Sequence, residues 1–125
     1  MSNPNIVAVT SILGKADVLI PSNNTSNLFL GNASGSNLVY KINQIVAANV
    51  DGTNAVNTTV GINSVANGSG TTYPIVSTVS VPADASLIVV DKTTAIYLEE
   101  NKSITVQSGT ASKIAYTISY EIIAS

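Results

Sequence analysis

This chain predicts an all-β fold: a two-sheet antiparallel β-sandwich of jelly-roll or related Greek-key type, with eight to nine strands. Three observations carry that expectation. The chain closes on five apolar residues in strict alternation, Ile114, Tyr116, Ile118, Tyr120 and Ile122, which is the period of a strand with one buried face. Turn punctuation recurs about every ten residues, the spacing of a sandwich or barrel rather than of βαβ units. No segment carries a convincing helical period, and only residues 83–86 are expected to form a single turn.

Taken in order, residues 6–13 are a first β-prone run, stopped by Gly14, and residues 18–20 a second, stopped by Pro21. Pro21, Ser22, Asn23 and Asn24 form a loop. Residues 28–30 are a short apolar segment, after which residues 31–37, rich in Gly, Ser and Asn, disfavour both helix and strand. Leu38, Tyr40 and Ile42 share a face before the apolar register moves to Ile45 or Val46. A bulge near Asn43 and Gln44, within one long strand, accounts for that shift.

The turn dipeptide Asp51-Gly52 ends this strand. Val56, Thr58, Val60 and Ile62 alternate next, and Asn67-Gly68 with Gly70 marks a reversal, so the flanking segments read as sequential antiparallel strands. Ile75, Val79 and Val81 line one face of a strand that Pro82 terminates. Residues 87–90 are apolar without a break, the pattern of a strand buried on both faces. Residues 96–98, residues 104–106 and the closing strand complete the set. No period of 20 to 50 residues repeats, which excludes a propeller or solenoid.

Composition agrees with one domain over residues 1–125, with residues 1–5 as a candidate flexible N-terminal arm. Apolar residues make up 45% of the chain and charged residues 10%, which is not the signature of disorder. With one Phe, five Tyr and no Trp, the core has to be filled by Val, Ile, Leu and Ala. A net charge of −2 is too small and too mixed to steer nucleic acid or an anionic membrane surface.

No apolar stretch approaches the roughly 20 residues needed to span a bilayer, and the N-terminus lacks a signal-peptide pattern. The expectation is a soluble product made inside a cell. The six Asn-x-Ser/Thr sequons, at Asn23, Asn24, Asn32, Asn57, Asn67 and Asn101, follow from an Asn/Ser/Thr-rich composition.

The side chains that most often do chemistry are missing, for there is no His, Cys, Arg or Trp. Without Cys there is no disulfide, thiolate nucleophile or zinc-thiolate site. Without His a Ser nucleophile would need a buried Lys as its base, and Lys15, Lys41, Lys92, Lys102 and Lys113 all sit in polar or alternating positions. Glu99 and Glu100 are the only adjacent carboxylates. As neighbours at a strand end they point to opposite faces and do not flank a glycosidic bond.

Asp51-Gly52-Thr53-Asn54 reads as a tight turn rather than a calcium loop, because no acidic residue follows at ligand spacing. Asn67-Gly68-Ser69-Gly70 lacks the Lys of a phosphate loop and reads as a hairpin loop. Tyr40, Tyr116 and Tyr120 fall in the strand alternation and read as packing residues. Tyr73, beside Pro74, is the tyrosine to consider at an interface. No catalytic, cofactor-binding or metal-binding residue is assigned, no cofactor is expected, and the interface residues stay unknown.

From Val81 onward the string Val-Pro-Ala-Asp-Ala-Ser-Leu-Ile-Val-Val-Asp-Lys, followed by Ala-Ile-Tyr-Leu-Glu-Glu-Asn-Lys-Ser-Ile-Thr-Val, resembles a family of small tailed-bacteriophage virion structural proteins. The segment from Val39 through Asp51-Gly52-Thr53-Asn54-Ala55 is similar to the family's first half, so the resemblance spans residues 38–123. Family members generally carry Gly in the turn after the paired glutamates, where this chain has Asn101. Asn tolerates the same left-handed backbone.

The resemblance implies a non-enzymatic β-sandwich subunit of the virion, foremost a capsid decoration or cement protein on the outer shell. Its partners would be the major capsid protein or other virion proteins, and it would form a homo-oligomer such as a trimer. A tail, neck or fibre-attachment component is the alternative. A carbohydrate-binding module is a third reading, weakened by the absence of Trp.

Overall fold

The computed structural model describes residues 9–124, which form nine strands and one short 3-10 turn. The strands are β1 (Ser11–Leu19), β2 (Asn27–Asn32), β3 (Leu38–Asn49), β4 (Val56–Asn63), β5 (Thr72–Val81), β6 (Ser86–Val90), β7 (Ile96–Leu98), β8 (Lys102–Ser108) and β9 (Ile114–Ala124). All pairings are antiparallel. One sheet has the order β1-β9-β3-β6, with β7 also on β3, and the other the order β2-β8-β4-β5. Successive strands thus mostly cross between sheets, which is jelly-roll connectivity and selects one of the two expected topologies.

The core lies between the sheets. Ile42, Ile45 and Ala47 of β3 and Ile114, Tyr116, Ile118 and Tyr120 of β9 face Val56 and Val60 of β4 and Ile104 and Val106 of β8. The alternation of the closing strand therefore reports its buried face as expected. It loosens at the end, where Ile122 is half-buried and Ile123 buried. The bulge expected near Asn43 and Gln44 is present, since the β3–β9 register shifts between Ile42 and Gln44. That extra residue keeps Ile42 and Ile45 on the same face, both fully buried.

Opposite the bulge the partner strand is interrupted. β6 pairs with Ile45 through Ala48 and β7 with Tyr40 through Ile42. The 3-10 turn Lys92–Thr94 between them is capped by Asp91, whose carboxylate accepts the Thr93 and Thr94 amides. Hydrogen bonds from these two threonines, the Thr93 hydroxyl first, hold the Asp91 carboxyl below its ordinary range. The single turn expected at residues 83–86 is a two-residue turn at Ala83 and Asp84.

Several expectations are corrected. Gly14 does not stop a strand: β1 runs through it unbroken, because an edge strand needs no Cβ at that position to keep its ladder. The portion of the first expected run before residue 9, and the candidate arm at residues 1–5, lie outside the described residues. β2 extends through Gly31 and Asn32 into the stretch read as irregular. Asn32 is buried there, its amide donating to the Leu38 and Leu98 carbonyls. In β5 it is Val76, not Ile75, that packs on the core, because register shifts against β4 and a left-handed Thr78 (φ 53°) reset the alternation.

The strand buried on both faces is β8, not residues 87–90. Ile88 lies open to solvent on the edge strand β6, whereas Ser103, Ile104, Thr105 and Val106 are all buried. The outer face of β8, polar at Ser103 and Thr105, is buried because a folded loop, residues 64–71, covers it. The Ser103 hydroxyl donates to the Val65 carbonyl, and Asn63 holds the loop by donating to the Gly68 and Gly70 carbonyls while accepting the Val65 and Gly70 amides. Gly31 makes this closeness possible, since a Cβ there would collide with the Ala66 carbonyl oxygen.

A candidate assembly edge

The least satisfied element of the sandwich is β1. It pairs with β9 in nine consecutive rows, Ser11 with Ala124 through Leu19 with Tyr116, without a register shift. Its partners Tyr116, Ile118 and Tyr120 are buried, yet every β1 residue up to Val18 is exposed and Leu19 is half-buried. Val18 is 77% exposed, Leu13 57%, and Ile12 and the following Ile20 each 53%. Three large apolar side chains of β1, with Ile20 just beyond it, thus stand exposed along one edge, more than an ordinary surface carries.

The other sheet edges are blunted. β5 carries Pro74, two register shifts and the left-handed Thr78. β2 has only six residues and a bulge between Leu28 and Leu30. The edge formed by β6 and β7 is broken by the 3-10 turn. Proline, bulges and short length all prevent a strand from templating another. On β1 the only polar long side chains are Lys15 and Asp17.

One contact anchors β1 beyond its backbone ladder. The Tyr120 hydroxyl donates to Asp17 Oδ2 at 2.9 Å. Burial, reinforced by that hydrogen bond and by the Asp17 charge, pushes the Tyr120 phenol up to about 12. The Tyr40 ring lies against it at a centroid distance of 5.5 Å. Deeper in, the Tyr116 hydroxyl donates to the Gln107 carbonyl at 2.9 Å and also meets the Thr58 hydroxyl. Burial raises this phenol too. Tyr116 thus ties one sheet to the other, while Tyr120 ties β9 to β1 and packs on Tyr40 within its own sheet.

The residues weighed for chemistry are scattered. Glu100 accepts the Asn37 amide at 2.9 Å and the Gly35 amide at 3.1 Å, so it staples the β2–β3 loop, while Glu99 is exposed. Asn101, after the pair, has φ 57°, the left-handed conformation expected of it. Asp51 forms a tight turn, its carboxylate accepting the Thr53 amide and hydroxyl and the Asn54 amide. Those bonds lower its carboxyl to about 2. Residues 67–70 lie in the β4–β5 hairpin loop, as expected, and Tyr73 is 64% exposed.

A surface hollow of about 330 Å³ lies beside the β3 bulge, lined by Asn43, Gln44, Lys92 and Ser119. Its lining holds no carboxylate, and among the described residues no three acidic side chains gather as a metal site would need. Among the same residues no helix is long and apolar enough to cross a membrane.

Fold and edge together define a jelly-roll sandwich in which, among the described residues, no strand pairs with the outer edge of β1. No family model matches the chain, and no curated protein matches it either. Among solved structures it is similar to a protein of Bacillus endospore appendages, described as a novel family of disulfide-linked pili. The likeness has a TM-score of 0.52 at 14% sequence identity and covers 98% of this chain and 99% of that one. At that identity the likeness shows the fold, an all-β sandwich.

Sequence reasoning misses the open edge. Ile12, Leu13, Val18 and Leu19 around Lys15 and Asp17 are its signal, hidden once Gly14 is taken as a stop.

Proposed function

We propose that this protein is a non-enzymatic structural subunit of a bacteriophage virion, a decoration or cement protein that binds the outer shell in many copies. The observation that carries the reading is the unbroken, apolar edge strand β1, which suits a subunit built to assemble with other subunits. The resemblance over residues 38–123 points to the virion, and the fold likeness to a pilus protein suits a sandwich used for repetitive assembly. Many weak contacts, repeated, give avidity that no single contact supplies.

Purified virions of the encoding phage, run on a mass-calibrated gel, test this. A copy number comparable to that of the shell subunit supports decoration, and particles lacking the protein should lose heat or osmotic stability. A copy number far below the shell subunit's would move the protein to the tail, neck or fibre attachment. Absence from the particle would overturn the reading.

The fold likeness favours one second reading, a subunit of an extracellular fibre. This chain has no Cys, so the disulfide linking that describes those pili is not available to it. Any fibre would be held by non-covalent contacts. Electron microscopy of the concentrated protein would show filaments under this reading and none under the first.

A further inference from the structure

We propose that β1 is a two-fold dimerisation strand, and that its occupant is β1 of a second copy of this chain, paired antiparallel about Ala16. The segment Ile12-Leu13-Gly14-Lys15-Ala16-Asp17-Val18-Leu19-Ile20 is a chemical palindrome about that residue. Turned on itself, it places Lys15 opposite Asp17 of the second copy, and Asp17 opposite Lys15. Leu13 then meets Leu19, Ile12 meets Ile20, and Gly14 meets Val18.

The geometry of the single chain fits the rows that lie within β1. The β1 register puts Leu13, Lys15, Asp17 and Leu19 on the face of Ile122, Tyr120, Ile118 and Tyr116, so the paired charges share one side of the sheet. Nothing lies within 4 Å of the place a Cβ would occupy on Gly14, which leaves room for the most exposed apolar side chain of the strand, Val18 of the second copy. Opposite charges directly across a strand pair stabilise it and like charges oppose it.

Register is thereby specified. A slip by two residues either way sets Lys15 against Lys15 or Asp17 against Asp17. A slip by one moves the charges away from each other and turns the second copy's outer face toward the first copy's inner one. Pairing about Ala16 sets the exposed apolar residues of each strand beside those of the other, buries their flanks and makes one sheet continuous through two sandwiches. It is isologous, so it closes at two copies.

This names the mode of self-association and stands on β1 alone, whichever particle carries the subunit; the virion gel tests location and the following experiment tests pairing. Light scattering and sedimentation equilibrium, from micromolar to millimolar protein, should find the native chain as a dimer. Lys15→Asp and Asp17→Lys should each weaken it roughly tenfold or more, since each sets two like-charge pairs across the axis. An equimolar mixture of the two variants should recover dimer, because one variant then offers a carboxylate in both charged rows and the other an ammonium group in both.

Val18→Lys, which touches neither charge, should also dissociate the dimer, and far-UV circular dichroism should show every variant folded. A native chain that stays monomeric throughout would overturn the proposal. So would a dimer indifferent to the single substitutions, or a mixture that forms no heterodimer.

Discussion

β9 and β1 are neighbours in one sheet, hydrogen-bonded along nine rows, yet they differ as much as two strands can. Ile118 of β9 is fully buried, with Ile45 of β3 on one side and the exposed Asp17 of β1 on the other. The backbone ladder is the same on both sides. Pairing therefore decides where a strand lies, while burial is decided by what the opposite sheet covers. β1 lies past that cover and so keeps an open face and an open edge.

The contrast fails most readily from the β9 side. Ile118→Ala should cost on the order of 2 to 5 kcal/mol by leaving a cavity between the sheets, measured by denaturant unfolding. Tyr116→Ala belongs in the same range, because it also strands the Gln107 carbonyl. A loss as small as that of a surface substitution would show that β9 is no better packed than β1.

Next in size is the buried polar cap at the end of β3. The Asn49 amide donates to the Asn54 and Val81 carbonyls at 2.9 Å, and its oxygen accepts the Asp51 amide. Asn49→Leu should cost roughly 1 to 3 kcal/mol, since the buried Val81 carbonyl loses its partner and the turn at Asp51 loses its tie. Thermal unfolding with Asn49→Leu beside Ile118→Ala would rank the two.

Alkali probes the one side-chain tie between the strands. The Tyr120 phenol is raised from 10.0 to about 12 in the folded chain, so the neutral form is favoured by folding. Its contribution is complete below pH 10 and is lost as pH rises toward 12. Tyr120→Phe should flatten the stability profile over that window. An unchanged profile would remove Tyr120 as its cause.

Acid acts on a turn far from both strands. Asp51 is depressed from 3.8 to about 2, so its contribution is present above pH 3.8 and disappears as pH falls toward 2. The carboxylate is open to solvent, and Asp51→Asn should narrow that acid dependence only slightly. The smallest effect is expected from β1 itself: Val18→Thr, in the monomer, should change stability by less than about 0.5 kcal/mol. A larger loss in monomeric protein would mean that β1 has a cover within its own chain.

Legibility in the sequence follows the same division. The alternation in β4 and β9, the bulge at Asn43, the Asp51 turn and the hairpin loop at residues 67–70 are readable because each is set within a few neighbouring residues. Residues 87–90 mislead because an apolar run reports hydrophobicity and not cover: Ile88 is exposed on an edge, while Ser103 and Thr105 are buried beneath a loop. Ile75 misleads because a two-residue period carries no warning of the left-handed Thr78 that resets it. The assembly edge is hidden for a related reason, since only neighbours in space show that one strand of a jelly roll lies past its partner sheet.

Local properties of the chain, its periodicity, turn chemistry and composition, were enough to establish an all-β sandwich, the closing strand's buried face and the absence of the side chains most used in catalysis. The jelly-roll order, the doubly buried β8 and the uncovered β1 emerge only in three dimensions. They depend on which strands meet across long loops, and burial is a property of the pair of sheets rather than of any one strand.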